Sequence, residues 1–141
     1  MKIAIIAHAK FPIAEPYAGG LEMITHLLVD ALVDRGHQVD LYAHHKSQTK
    51  ANLIAIDHFK GDVIEDLNSE DYPIFNNLQL GHLINYSRVF NQIKSKEYDI
   101  VHNHSLNIQA LLLGNMLPQQ VITSLHTPPL TDLKVANLIL K

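Results

Sequence analysis

Three histidines, His102, His104 and His126, follow apolar runs of the sequence, from which their imidazole side chains could take part in binding or catalysis. His102 and His104 are two residues apart after a short apolar run, so in an extended chain their side chains point to the same side. His126 follows a second apolar run and precedes Thr-Pro-Pro. Near neutral pH, imidazole hydrogen-bonds to hydroxyl groups, stabilises charge beside a phosphate, transfers protons or binds metals. The same pattern fits a buried structural histidine next to a solvated one.

A glycine pair, Gly19 and Gly20, precedes a segment with helical spacing. Glycines allow close backbone approach, and a helix amino end offers free N–H groups to an anion, so a diphosphate would fit there. Glu22 directly follows the pair, where its charge complements the helix dipole. A flexible turn that leads into a helix is the plainer alternative. The chain lacks a tight Gly-x-Gly-x-x-Gly turn and a Walker loop, which weighs against NAD-linked and P-loop chemistry.

Hydrophobic periodicity predicts the elements that position these residues. A continuous apolar run at 2–7 is typical of a strand buried on both faces of a parallel sheet, and a loop follows to Gly20. Further strands are predicted at 37–43, 53–56, 99–101 and 120–125. Helices are predicted at 21–35, 73–96, 107–116 and 132–141, with Gly36 as a stop signal after the first and Gly81 as a possible interruption of the second. The acidic stretch 61–71 is predicted to be a loop.

The order of these elements favours an α/β fold, a Rossmann-like parallel sheet with helices on both faces. In such a sheet ligands bind beyond the carboxyl ends of the strands. The glycine-pair loop, the His102–His104 turn and the turn after His126 would all lie on that edge, and His8, at the end of the first strand, would line the same cleft. Their convergence is the residue-level reason to expect a site there.

Composition narrows the classes of partner. The chain has 141 residues, enough for one domain, and its net charge is -3, so no basic field attracts nucleic acid or anionic lipid. Cysteine is absent, which excludes a disulfide framework and fits a reducing compartment. No apolar stretch approaches the length of a transmembrane segment, and the first apolar run is too short for a signal peptide. We expect a cytoplasmic protein.

Taken in order, the motifs resemble one family, the GT-B-fold retaining glycosyltransferases of family four (group 1 type). The resemblance spans residues 1–129. It rests on an apolar first strand and on the segments Pro12-x(6)-Gly19-Gly20-Leu21-Glu22, Leu32-x-x-Arg35-Gly36-His37-x-Val39, Tyr98-Asp99-Ile100-Val101-His102-x-His104 and Thr123-x-Leu125-His126-Thr127.

The resemblance implies a role for each matching residue. Gly19 and Gly20 would approach the donor diphosphate, and Glu22 would stand near the acceptor side. His104 would face the transferred sugar as the catalytic residue, while His102 would support the site. His126 would line the cleft between two domains as a further substrate-binding residue. No metal and no cofactor other than the donor substrate are implied.

The implied reaction moves a sugar from a nucleotide-diphosphate donor to a carbohydrate or lipid-linked acceptor, with retention of configuration. In this family a second domain holds most of the nucleotide and carries a Glu-x(7)-Glu motif, which the 141 residues lack. We therefore expect residues 1–141 to be the acceptor-side amino-terminal domain, truncated and inactive without the carboxyl-terminal domain.

Two other functions remain open from sequence alone. His102, His104 and His126 could form a three-nitrogen zinc site of a metal-dependent hydrolase, although no well-placed carboxylate supports it. Alternatively, the chain is a stand-alone Rossmann-like module that binds a partner or small ligand without catalysis.

Overall fold

A computed structural model describes residues 1–56, 77–128 and 131–139. Within these ranges five strands form one sheet in which all neighbours are parallel. The strands are β1 (Lys2–Ile6), β2 (Gln38–His44), β3 (Asn52–Ile56), β4 (Ile100–Asn103) and β5 (Val121–Thr123). The helices are α1 (Gly20–Asp34), α2 (Asn77–Lys94), α3 (Ile108–Gly114) and α4 (Thr131–Ile139).

The two faces of the sheet bury different helices because strand side chains alternate. On one face Ile3, Ile5 and Leu41 pack against Val29 of α1. On the other face, Ala4, Ile6, Tyr42 and Val101 join a second core cluster with residues of α2 and α3, namely Tyr86, Val89, Phe90, Ile93 and Ala110. The predicted α/β fold with helices on both faces is therefore confirmed.

Several predicted boundaries hold, and others shift by a few residues. Gly36 ends α1 with φ of 81°, and the N–H groups of Gly36 and His37 donate to the carbonyls of Val33 and Leu32, as in a Schellman motif. Gly81 lies inside α2 without interrupting it. β4 continues beyond the predicted 99–101 to Asn103, so His102 belongs to the strand itself. The predicted loop at 61–71, like the predicted helix start at 73–76, lies outside the described residues.

Strand order creates a crevice at the carboxyl edge of the sheet. The order β3-β2-β1-β4-β5 reverses direction between β1 and β4, and ligands of doubly wound sheets bind at such a switch point. The N–H of His104 donates to the Ile6 carbonyl at 2.8 Å, and the N–H of Ser124 donates to the Asn103 carbonyl at 3.0 Å. These bonds hold the segment after β4 against the end of β1, and the segment after β5 against the end of β4.

None of the helices in the described ranges is both long and apolar enough to cross a membrane.

Candidate functional site

The first part of the rim is a buried pair formed by His8, just after β1, and Glu22, in the first turn of α1. His8 Nε2 hydrogen-bonds to Glu22 Oε1, and the Glu22 residue is only 5% exposed. The backbone N–H groups of Lys10 and Phe11 donate to His8 Nδ1 at 3.2 and 3.4 Å. Nδ1 is therefore the acceptor, so the proton of neutral His8 lies on Nε2 and is donated to Glu22.

Gly19 and Gly20 have different surroundings, although they are adjacent. Gly19 precedes α1 with an extended backbone, and no side chain caps this helix end. A Cβ on Gly19 would lie 3.2 Å from Glu22 Oε2, whereas a Cβ on Gly20 would meet nothing within 4 Å. The missing side chain of Gly19 thus makes room for the Glu22 carboxylate. At Gly20 it leaves the helix end open to solvent.

The second part of the rim is an imidazole cluster formed by His102, His104 and His126. The ring centroid of His104 lies 4.1 Å from that of His102 and 4.7 Å from that of His126. His104 Nδ1 and His126 Nε2 share a hydrogen bond of 2.8 Å. His102 Nε2 pairs with Ser124 Oγ at 2.8 Å. The predicted convergence is present in the structure, where His126 meets His104, which lies 22 residues earlier in the chain.

Burial favours the neutral forms of His102 and His104. His104 is 2% exposed, and burial, together with the nearby His102 and His126, lowers its pKa to about 3. Burial and the neighbouring His126 also lower the pKa of His102. His126, in contrast, lies on the exposed side of the cluster. His102 and His104 therefore offer hydrogen bonds rather than positive charge at neutral pH.

One buried atom of the cluster lacks a hydrogen bond to the described residues. His104 Nε2 is buried and has no partner among the described residues. A buried polar atom without a partner costs about 1–3 kcal/mol, and native proteins keep few such atoms. His104 Nε2 is thus the group of this cluster that would gain most from a ligand hydroxyl.

A groove of about 410 Å³ opens between the start of α1 and the segment that follows β4. His8 and Glu22 line it from one side, and Ser105, Leu106 and Asn107 line it from the other. Leu106 has φ of 54°, a left-handed conformation that is uncommon for a non-glycine residue and clusters at functional sites. The sequence predicted a cleft at this edge with His8 in its lining, but it gave no sign that Ser105, Leu106 and Asn107 would form the other side.

The arrangement does not support a zinc hydrolase. Across the described ranges, no three His, Cys, Asp or Glu side chains are grouped so that they could hold a metal ion. The hydrogen bonds explain this, because His104 Nδ1 faces His126 Nε2 and His102 Nε2 faces Ser124. Three of the ring nitrogens are thus used in hydrogen bonds within the protein, one pair to each other and one to a hydroxyl.

The predicted site residues thus fall into two groups on one rim. Gly19, Gly20 and Glu22 stand at the start of α1, while the other group is the imidazole cluster. The backbone bond from His104 to Ile6 joins the end of β4 to the end of β1, the strand whose following loop leads to Gly19, Gly20 and Glu22.

Comparison with known proteins bears on the whole arrangement. The sequence model of Glycosyltransferase Family 4 matches residues 18–139, a range that includes the glycine pair and all three histidines of the cluster. No curated protein shows a significant sequence match to the chain. Because the family match covers most of the chain and agrees with the Rossmann-like sheet, the chain belongs to glycosyltransferase family 4.

Proposed function

We propose that this chain is the acceptor-side domain of a GT-B glycosyltransferase that moves a sugar from a nucleotide-diphosphate donor to an acceptor hydroxyl with retention. Family membership supports a glycosyltransferase with sugar donor and acceptor substrates. The finer proposal is supported by the positions of the uncapped α1 amino end, which follows β1, and of His104, which follows the adjacent strand β4 at the switch point. No cofactor other than the donor substrate enters this proposal.

The donor diphosphate would bind at Gly19 and Gly20. Negative charge grows on the departing diphosphate in an oxocarbenium-like transition state, and preorganised N–H groups stabilise such charge. The amino end of α1 has no side-chain cap, and the space beside Gly20 is open. These two features support a close approach of the phosphates to the backbone.

The transferred sugar would be oriented by His104, with His102 and His126 around it. A neutral imidazole suits this role because it hydrogen-bonds without placing positive charge beside the oxocarbenium-like ring. His126 is bonded to His104 Nδ1, so it influences which His104 nitrogen carries the proton. Since His104 Nε2 is enclosed, donor binding would have to move the side chains that cover it.

A second domain would complete the reaction. By resemblance to the family, it would hold the nucleotide and supply basic groups for the leaving diphosphate. Closure of the two domains would exclude water, which otherwise competes with the acceptor. We therefore expect negligible transfer by purified residues 1–141 on any nucleotide sugar, and measurable turnover would contradict this proposal.

A titration of the isotope-labelled chain tests the donor site. Addition of UDP or GDP is expected to shift the NMR amide signals of Gly19, Gly20 and Leu21 and the imidazole signals of His104 and His126. Uridine without phosphates is the matched control and should leave the glycine signals unchanged. Equal responses to UDP and uridine would contradict the assignment of the glycine pair to the diphosphate.

A further inference from the structure

A small cavity lies between α2 and the strands β2 and β3, on the face of the sheet that α2 covers. Tyr42 of β2 and Ile56 of β3 line it from the sheet, and Asn85, Arg88 and Gln92 line it from α2. The three α2 residues recur at intervals of three and four, so they lie on one side of the helix. Among the described residues, the cavity shares no lining residue with the groove at the carboxyl rim. It therefore provides a separate place for a ligand.

The volume of this cavity limits what it can hold. It measures about 80 Å³. One water molecule needs only about 10–15 Å³, so the cavity admits a larger group. Sites for drug-sized molecules enclose about 300–1,000 Å³, so it does not admit a whole nucleotide or sugar. A small ion, or one such group at the end of a larger molecule, is the size that fits.

Asn85 gives the cavity a buried donor that the protein does not use. The residue lies in the middle of α2 and is 3% exposed. Its Nδ2 atom is buried and has no hydrogen-bond partner in the part of the chain that the structure describes. Native proteins keep few such atoms, because a buried N–H group without an acceptor is destabilising. An acceptor atom of a ligand in the cavity would satisfy it.

Arg88 brings a positive charge to the same cavity. Its guanidinium is always charged in proteins and carries five N–H donors. None of the ion pairs within the described residues includes Arg88, and none of the described lining residues is acidic. The hydroxyl of Tyr42 is already bonded to that of Tyr98 at 3.0 Å. The lining thus combines a positive charge with unused donors, which is the complement of an anion.

We propose that this cavity binds a tetrahedral oxyanion, namely a phosphate group. The planar fork of Arg88 takes two oxygens of the anion, and the Asn85 amide donates to a third. A carboxylate offers only two oxygens and would leave one of these donors unused. Gln92, one turn further along α2, carries a further amide for the remaining oxygen. The site stands apart from the proposed sugar transfer and does not require it.

NMR titration of the isotope-labelled 141-residue chain tests the site. Inorganic phosphate, added at constant ionic strength, is expected to shift the side-chain NH₂ signals of Asn85 and the Nε–H signal of Arg88. Sulfate should compete at the same signals, whereas acetate should bind at least about tenfold more weakly. Equal binding of phosphate and acetate would contradict a site for a tetrahedral oxyanion. The absence of shifts at both Asn85 and Arg88 would overturn the site altogether.

A second titration distinguishes a free ion from a phosphate group carried by a larger molecule. Glycerol 3-phosphate presents the same group on an uncharged carrier. Binding of inorganic phosphate that is equal or tighter would support the free ion as the ligand. Tighter binding of glycerol 3-phosphate would support a phosphate monoester, and binding of neither would overturn the proposal.

Matched variants separate contact with the anion from a general effect of charge. Arg88→Gln should weaken phosphate binding at least about tenfold. Lys94→Gln removes the same charge from an exposed position of the same helix and should leave binding unchanged. Arg88→Lys keeps the charge but loses the planar fork, and should weaken binding about threefold. Equal losses in Arg88→Gln and Lys94→Gln would show that phosphate responds only to net charge, which would contradict a built site.

Asn85→Leu tests the buried donor separately. It replaces an amide without a partner by an apolar group of similar size, so the chain should stay folded and its thermal midpoint without phosphate should not fall. Phosphate should raise the midpoint of the unchanged chain, since a ligand that binds only the folded state stabilises it. This rise should be largely lost in Asn85→Leu. A rise of equal size in both proteins would show that Asn85 does not contact the anion.

Discussion

Two polar clusters lie at opposite ends of the same sheet and differ in how fully their groups are hydrogen-bonded. At the amino end, Asp40 accepts hydrogen bonds from Tyr98, from Asn52 Nδ2 at 2.8 Å and from Lys96 Nζ at 3.2 Å. At the carboxyl end, His104 Nε2 has no partner among the described residues and Glu22 offers an unused oxygen.

The pKa values reflect the same difference. Burial alone would raise the pKa of Asp40, but the hydrogen bonds from Tyr98, Asn52 and Lys96 outweigh it and hold that pKa below its usual value. For His104, burial lowers the pKa to about 3, and no hydrogen bond to the charged form opposes it. A satisfied network is what a structural cluster needs, whereas under-satisfied, desolvated groups at a switch point are typical of a site that binds something else.

The largest expected effect is the loss of the Asp40 network. Asp40→Ala removes the acceptor shared by Tyr98, Asn52 and Lys96, and should lower the free energy of unfolding by about 2 kcal/mol. Urea denaturation measures this value. Asp34→Asn is the control, because the Asp34–Lys50 pair is exposed and should contribute less than about 0.5 kcal/mol. Equal effects of the two variants would show that the Asp40 cluster is not a structural network.

The second prediction concerns acid sensitivity of the imidazole cluster. His104 has a folded-state pKa of about 3 against an ordinary value of 6.5, so the unfolded chain binds more protons between these values. Stability should therefore fall as pH drops through this window, by about 1 kcal/mol between about pH 7.5 and about pH 5.5. Asp40, whose pKa is lowered from 3.8, contributes only at still lower pH. Denaturation curves that do not change across the histidine window would contradict the burial of His104.

The third prediction concerns the replacement of His104, whose Nε2 atom has no hydrogen-bond partner among the described residues, by an apolar residue. His104→Leu removes a buried nitrogen without a partner and should raise the free energy of unfolding by about 1 kcal/mol at neutral pH. The same variant should flatten the pH dependence described above and weaken the response of the His126 signals to UDP. Destabilisation as large as that of Asp40→Ala would mean that the role of His104 is only to stabilise the fold.

The smallest effect separates the two glycines. Gly20→Ala places a methyl group in open space at the start of α1 and should stabilise the free chain by about 0.5 kcal/mol. Gly19→Ala crowds Glu22 Oε2 at 3.2 Å and should give no gain or a loss of similar size. Thermal unfolding of the two variants under the same conditions makes the comparison. Identical shifts would show that Gly19 is not needed to accommodate the Glu22 carboxylate.

Local sequence patterns predicted strands and helix ends, because these features depend on residues that are close together in the chain. Continuous apolar runs indicated β1 and β5, and Gly36 marked the end of α1 since the positive φ there favours glycine. The His102–His104 spacing correctly indicated a shared side. The end of β4 was set too early, because its polar residues His102 and Asn103 are held in the sheet by pairing with β1 and β5.

Other features depended on partners far apart in the chain. The His8–Glu22 bond joins residues 14 positions apart across a loop whose path the sequence does not reveal. The groove likewise needs the β1–β4 neighbourhood, which follows from strand order rather than from either strand.

The sequence by itself determined the alternation of strands and helices, the parallel sheet and the residue types at its carboxyl rim, since periodicity and glycine placement act locally. His104 and His126 look alike in sequence, as each is a histidine after an apolar strand. Only the tertiary structure made one of them buried with a lowered pKa and left the other exposed. Desolvation and hydrogen bonding depend on what packs around a side chain, and that is decided when distant strands come together.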